Sequence, residues 1–304
     1  MTKAARGAAA QPLDRELIRK VNRALLAWYA ETARPLKIRE RTDPYSVLVS
    51  EVMAQQTQIS RVDQLATAFL ARFPTLESLA AAETADVLVA WKGLGYNRRA
   101  LALQRAAAAA VAAGGLPPSV DALVELPGIG PYTARAVAAI AFGGREIPVD
   151  VNIARIVSRL VDADAPLSPR EVQLRANEFG AELADGEAGS WAQAAMDLAS
   201  LTCRAAAPKC DECPLRVSCP SAGRAFTKVP RSGEARTPFK KTARWLRGRL
   251  LDELREAGRA GVQVTGVRGE HNEAAVAATI SKMVSEGLAE SLGGDRYRLP
   301  HRGD

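Results

Sequence analysis

All four cysteines of the chain fall in one short stretch, as Cys203-x6-Cys210-x2-Cys213-x5-Cys219. Thiolates at this spacing can wrap one tetrahedral centre. The centre could be a structural zinc built on the Cys-x2-Cys core or a cubane four-iron, four-sulfide cluster, and ligand chemistry alone does not choose between them. Two acids also stand in distinctive strings. Glu51 lies in Ser50-Glu51-Val52-Met53-Ala54-Gln55-Gln56-Thr57-Gln58, and Asp150 in Pro148-Val149-Asp150-Val151-Asn152. An aspartate before an apolar-periodic helix is ordinarily an N-cap, and a glutamate is ordinarily a solvated surface acid. Acid–base chemistry is the alternative for both.

Two turns could bind an anion. Leu126-Pro127-Gly128-Ile129-Gly130 places two glycines, which tolerate positive φ, before a helix starting at Pro131 or Tyr132. The free N–H groups of such a helix suit one phosphate, although an ordinary αα-turn has the same look. Trp91-Lys92-Gly93-Leu94-Gly95-Tyr96-Asn97-Arg98-Arg99 offers an aromatic for stacking and two arginines for phosphates, or simply a solvated basic loop.

These strings need helices to position them. Apolar periodicity predicts helices over Leu17–Ala30, Val62–Arg72, Thr75–Ala82, Thr84–Lys92 and Asn97–Ala113. Asp43-Pro44 reads as an N-cap with proline at the first helical position, and Tyr45, Leu48, Val49, Val52 and Met53 then share one face. Ser119–Leu126 and Tyr132–Phe142 flank the glycine turn. Asp150 opens a helix with Ile153, Ile156, Val157 and Leu160 on one side, and Pro169–Ala184 and Ser190–Leu201 complete an all-α core. Residues 223–242 form a basic linker punctuated by Pro230 and Pro238. Beyond it come two helices, marked by Leu246–Leu254 and Val276–Met283, and a hairpin around Gly293-Gly294-Asp295.

Composition narrows the chemistry further. Only His271 and His301 are present, which removes histidine-dependent triads and the HExxH motif from most of the chain, and no P-loop occurs. Lys and Arg number 41 against 34 acids, a net charge of +7 that suits a polyanionic partner. With 304 residues and 47% hydrophobic content, about two domains with sizeable cores are expected. No apolar run approaches the roughly 20 residues of a membrane span. Met1–Pro12 reads as a disordered tail without a secretory signal, so a cytoplasmic location is expected.

Taken together, the strings resemble the endonuclease III superfamily of helix-hairpin-helix DNA glycosylases. The cysteine spacing, with Met196-Asp197-Leu198 before it and Pro208-Lys209 and Pro214-Leu215 within it, is similar to that superfamily's iron–sulfur loop. The resemblance implies one [4Fe-4S] cluster on Cys203, Cys210, Cys213 and Cys219, with Arg204, Lys209 and Arg216 near phosphates. It implies that Leu126, Gly128 and Gly130 bind DNA. It also implies a two-lobed all-α fold, a six-helix barrel (41–142) beside an iron–sulfur lobe (13–40 and 143–222). A small winged-helix-like α+β module (243–304) follows.

Within that superfamily the Glu51–Gln58 string and the Gly93-Leu94-Gly95-Tyr96 string closely resemble MutY-type adenine glycosylases. The resemblance implies that Glu51 protonates the adenine ring, that Gln56 wedges into the stack with Gln55 beside it, and that Thr57 contacts the opposite base. Tyr96, Arg98 and Arg99 would meet DNA, Arg39 and Asp197 would lie near the base pocket, and Asp150 with Asn152 would stabilise the sugar cation. Bifunctional relatives carry lysine where this chain has Tyr132. A phenol cannot form the imine of a strand-cutting step, so strong lyase activity is not expected. The implied activity is monofunctional removal of adenine opposite 8-oxoguanine or guanine in double-stranded DNA, by a monomer associated with the nucleoid.

Some residues depart from that family's pattern. Ile38-Arg39 stands where Trp-Arg is usual, Ala54 replaces Leu, Asn97 replaces a second Tyr, and Val151 replaces a small residue or Thr. Nothing after Lys241 resembles the usual Nudix-like domain. Two rivals follow, a T/G or U/G mismatch glycosylase on the same scaffold and a non-catalytic iron–sulfur or winged-helix DNA-binding module.

Overall fold

The computed structural model describes residues 12–161, 167–226 and 237–301. The expected N-terminal tail (1–12, save its last residue) and the middle of the expected basic linker lie outside the described residues. In chain order the helices are α1 (Arg15–Thr32), α2 (Pro44–Ala54), α3 (Ile59–Arg72), α4 (Leu76–Ala81), α5 (Thr84–Ala90) and α6 (Arg98–Ala112). They continue as α7 (Val120–Val124), α8 (Pro131–Ala141), α9 (Val151–Val161), α10 (Pro169–Ala181) and α11 (Glu187–Leu201). The C-terminal module is α12 (Ala243–Ala257), β1 (Val262–Gln263), α13 (Glu273–Ser285), β2 (Glu290–Gly293) and β3 (Arg296–Arg298). No helix among the described residues is long and apolar enough to cross a membrane.

The chain divides into two compact units. The first comprises residues 12–35, 118–120, 131–161 and 167–226. Here α11 packs against α1, α8 and α9, and α10 packs against α9 and α1. Val21, Leu25, Ile147, Ile153, Val157, Phe179 and Trp191 fill the centre. One polar group enters this core with its partners in place. Asn22 donates to the Phe179 carbonyl at 2.9 Å and accepts from the Trp191 indole at 2.8 Å, so its burial leaves no unmet hydrogen bond. Cys203, Cys213 and Cys219 pack partly buried against the same core.

The second unit comprises residues 36–117, 121–130 and 237–301. α2 packs on α3 and α6, α4 and α5 pack on α6, and α12 packs on α5 and α13. The three strands form one antiparallel sheet in the order β1-β3-β2, with Val262 opposite Tyr297 and Glu290 opposite Arg298. The hairpin expected around Gly293-Gly294-Asp295 is β2–β3. Strand β1 was not expected, because two residues are too few to show alternation.

Local signals set most boundaries. The Asp43 side chain accepts from the Ser46 amide ahead of Pro44, and Thr75 and Ser168 close reciprocal capping boxes on α4 and α10. α2 differs from its reading as a one-faced helix. Ser46, Val47 and Ser50 are buried along with the apolar face, so the helix is enclosed on nearly all sides.

Candidate functional site

In the first unit the site is built at the N-terminus of α9. The Asp150 carboxylate accepts from the amides of Asn152 at 2.9 Å and Ile153 at 2.8 Å, and from the Asn152 side chain at 2.7 Å. The ordinary expectation for this residue, an N-cap, holds. Asp150 caps the helix, and the same donors fix where its charge sits. Val151 beside it is 80% exposed, while Ile153 and Val157 turn inward.

The connection from Asp150 to the cysteine loop runs along α9. The Arg155 guanidinium donates to Asn152 Oδ1 at 3.2 Å, to the Cys203 carbonyl at 2.9 Å and to the Ala199 carbonyl at 3.1 Å. One turn later the buried Arg159 donates to Cys203 Sγ at 3.1 Å and to the carbonyls of Arg204 and Ala205, with Phe226 stacked 3.8 Å from its carbon. Sequence reasoning missed both arginines. Their signal was a spacing of four, which places them on one helix face.

All four cysteines line a single cavity of about 30 Å³, together with Arg159 and Phe226. Four thiols around one cavity are a donor set that fits one group held by four thiolates. Burial pushes the Cys213 thiol up to about 11 and raises that of Cys219. Of the nearby cations, Lys209 pairs with Glu212 and Arg216 with Asp211, and all four of these side chains are largely exposed.

The remaining first-unit candidates sit on α8 and α11. Tyr132 is half-buried, with its hydroxyl 3.8 Å from Met196 Sδ. Asp197 is fully buried and not a surface acid. The Arg34 side chain donates to it at 2.7 Å and the Arg34 amide at 3.3 Å.

In the second unit the Glu51, Gln55–Gln58 and Gly93–Arg99 strings come together around Arg99. Its guanidinium donates to the carbonyls of Val52 at 2.7 Å, Met53 at 3.0 Å and Gln55 at 2.5 Å, which are orphan acceptors at the C-terminus of α2. It also reaches Thr57 Oγ1 at 3.2 Å and the carbonyls of Leu94 and Gly95, and its carbon lies 5.5 Å from the ring centres of Trp91 and Tyr96. Arg99 was expected at DNA phosphates. The structure turns it inward, because two converging turns present more carbonyls than their own amides satisfy, and burial pushes its pKa down. Arg98 next to it is exposed.

The turns that Arg99 holds are strained. Gln56 and Tyr96 have φ of +54° and +46°, a region costly for side chains with a Cβ. Gln56 is exposed and Tyr96 is 44% exposed. Glu51, on the last turns of α2, is half-buried. Ile38 and Arg39 lie in a short 3-10 turn, where the Ile38 amide donates to Asp63 at 3.0 Å.

The glycine turn follows α7. Gly128 has φ of +78°, and a Cβ there would stand 2.5 Å from the Ala102 Cβ, so both conformation and the approach to α6 demand glycine. Gly130 does not share that conformation. A Cβ there would meet nothing within 4 Å, which leaves its backbone open to a ligand. Leu126 is buried and packs inward.

Residues 49–182 match the model of the HhH-GPD superfamily of base excision DNA repair proteins. The chain is 36% identical over 290 residues to an adenine DNA glycosylase of Mycolicibacterium smegmatis, covering 92% of this chain and 96% of the relative. It is 40% identical over 247 residues to an adenine DNA glycosylase of Mycobacterium tuberculosis, covering 77% and 78%. Among solved structures, a thermostable thymine-DNA glycosylase superposes with a TM-score of 0.62 at 22% identity, over 68% of this chain and 97% of that one.

Proposed function

The chain belongs to the HhH-GPD superfamily of base excision DNA repair proteins, and from that premise we propose how its residues release adenine from DNA. It is a DNA N-glycosylase that removes adenine by base excision. The substrate is a duplex in which adenine faces guanine or 8-oxoguanine, and the protein acts as a monomer on nucleoid DNA.

The observation that carries the mechanism is Asp150, whose oxygens are oriented by three N–H donors at the start of α9. One nucleotide everts from the stack, at a cost of a few kcal/mol that is least at a mismatch. The exposed, strained Gln56 takes the space it leaves, and Arg98 and the Gly128–Gly130 turn grip phosphates. Glu51 gives a proton to a ring nitrogen of adenine. The bond from the base to C1′ breaks, and its electron pair leaves with the neutral base. The Asp150 carboxylate faces the oxocarbenium ion that remains, directly or through a transient ester, until water adds at C1′ and loses a proton. Asn152 orients Asp150, and Arg39 and Asp197 shape the base pocket. The product is an abasic site. Tyr132 has no amine to open it, so the strand stays intact until alkali is added.

Cys203, Cys210, Cys213 and Cys219 would hold one [4Fe-4S] cluster. When bound it supplies a structural cross-link to the loop and no chemistry to glycosyl cleavage. Support comes from the four thiols around one cavity and the Arg159 donor on Cys203 Sγ.

The test is base release from duplexes differing only in the target pair: A opposite 8-oxoguanine, A opposite G, T opposite G and U opposite G. Adenine alone should be released. Faster release of thymine or uracil would overturn the role given to Glu51.

A further inference from the structure

The wall of the cysteine cavity contains three cations, Arg159, Lys209 and Arg216. Lys209 and Arg216 are largely exposed and paired with Glu212 and Asp211. Arg159 is only 8% exposed and makes no ion pair among the described residues. A buried guanidinium is ordinarily paired with an anion. Here its hydrogen-bond partners are the Cys203 sulfur at 3.1 Å and the carbonyls of Arg204 at 2.8 Å and Ala205 at 3.1 Å. The counter-charge therefore falls to the thiolates. The same residue meets the far end of the cysteine loop, since Cys219 Sγ lies 3.7 Å from the Arg159 carbonyl oxygen.

Sulfur is a weak acceptor, and water competes for the same N–H groups. The contact to Cys203 lasts only where water is kept off the guanidinium. One face of it is covered by Phe226, whose ring centre lies 3.8 Å from the guanidinium carbon. Phe226 lies beyond the last cysteine, in the stretch that reads as a linker in the sequence. Two turns carry the chain there. The Ala222 amide donates to the Cys219 carbonyl at 3.0 Å, and the Arg224 amide to the Ser221 carbonyl at 3.2 Å. The Phe226 ring is half-buried and lines the cavity beside the cysteines.

We propose that Phe226 is a positioning residue that seats Arg159 against Cys203 and closes the cysteine cavity to water, so that it sets how fast a group held there is lost to solvent. The proposal rests on the four-thiolate cluster reading and extends it to a residue outside the cysteine spacing. An aromatic ring does this better than an aliphatic chain of similar size. Its face attracts the guanidinium, and the attraction strengthens as water leaves, so cover and contact reinforce each other. Without the ring, water reaches the guanidinium, the long side chain regains rotamer freedom and the donor to Cys203 is lost.

The experiment follows iron loss from purified holoprotein to the ferrous chelator bathophenanthroline disulfonate. It is read as the fall in absorbance near roughly 400 nm and the rise of the coloured chelate. Phe226→Ala should lose iron about tenfold faster than wild type, the factor expected for one desolvated cation–π contact. Phe226→Tyr keeps the ring and should lose iron at the wild-type rate. Phe226→Leu keeps most of the bulk without a ring face and should resemble the alanine variant, which separates seating of Arg159 from simple filling. Equal rates in wild type and Phe226→Ala, full rescue by leucine, or no rescue by tyrosine would overturn the proposal. The cluster reading is judged separately, by whether wild-type protein carries iron and absorbs near roughly 400 nm before any chelator is added.

Discussion

Asp150 caps α9 and is proposed to face the sugar cation, two tasks that a single substitution can separate. Asparagine caps helices about as well as aspartate, so Asp150→Asn should keep α9 and change stability by less than about 1 kcal/mol. It removes the negative charge proposed to face the sugar, and base release should fall by at least about 10²-fold while duplex affinity is retained. Single-turnover kinetics with a parallel binding titration check this, and release at the wild-type rate would refute the role. Glu51→Gln keeps the shape of a half-buried side chain but cannot supply the proton, and should slow release by about 10²- to 10⁴-fold. Both acids were legible as candidates because their strings were distinctive. The orientation of Asp150 was not, since it depends on three donors that exist only once α9 has formed.

At the scale of elements, two arginines act as staples. Arg99 satisfies carbonyls at the end of α2 and in the turn before α6, so Arg99→Ala leaves several buried acceptors unmet and should cost about 3 kcal/mol or more. Lysine should not rescue it, because a point charge cannot fork between two turns. Urea unfolding of the pair decides the matter. Arg159→Ala removes the donor to Cys203 Sγ and to two loop carbonyls, and on the proposed four-thiolate cluster should lower the iron retained per chain, read from absorbance near roughly 400 nm. In the C-terminal module Arg247 holds the Glu286 carboxyl below its ordinary range. The folded value is the lower one, so this stabilisation is present above the ordinary carboxylate pKa and is lost as pH falls through the lowered value. Glu286→Gln should therefore reduce thermal stability at neutral pH and make no difference in strong acid.

For the whole molecule, a net charge of +7 implies that duplex binding is strongly salt-dependent. If about six phosphates are neutralised, affinity should drop by roughly 10³-fold between about 50 and 200 mM salt. A slope near zero would remove the electrostatic grip proposed for Arg98 and the glycine turn. The C-terminal module belongs to the same compact unit as α2–α6, so deleting it should destabilise that unit.

Types and spacing alone made legible the helical class and nearly every helix, and singled out the four cysteines and both acids as candidates. These signals are local: a cap, a proline at the first helical position, a 3.6-residue period and a short ligand spacing. The fold decided which polar groups are consumed by neighbours and which face outward. Arg98 and Arg99 are adjacent and chemically identical. One is exposed, and the other is drawn into a nest of carbonyls formed by turns about forty positions apart in the chain. Strain at Gln56 and Tyr96 and the Arg155–Arg159 face toward the cysteine loop arise the same way, from contacts between distant segments. No window of sequence carries them, because a hydrogen bond is assigned only when both of its partners have a place.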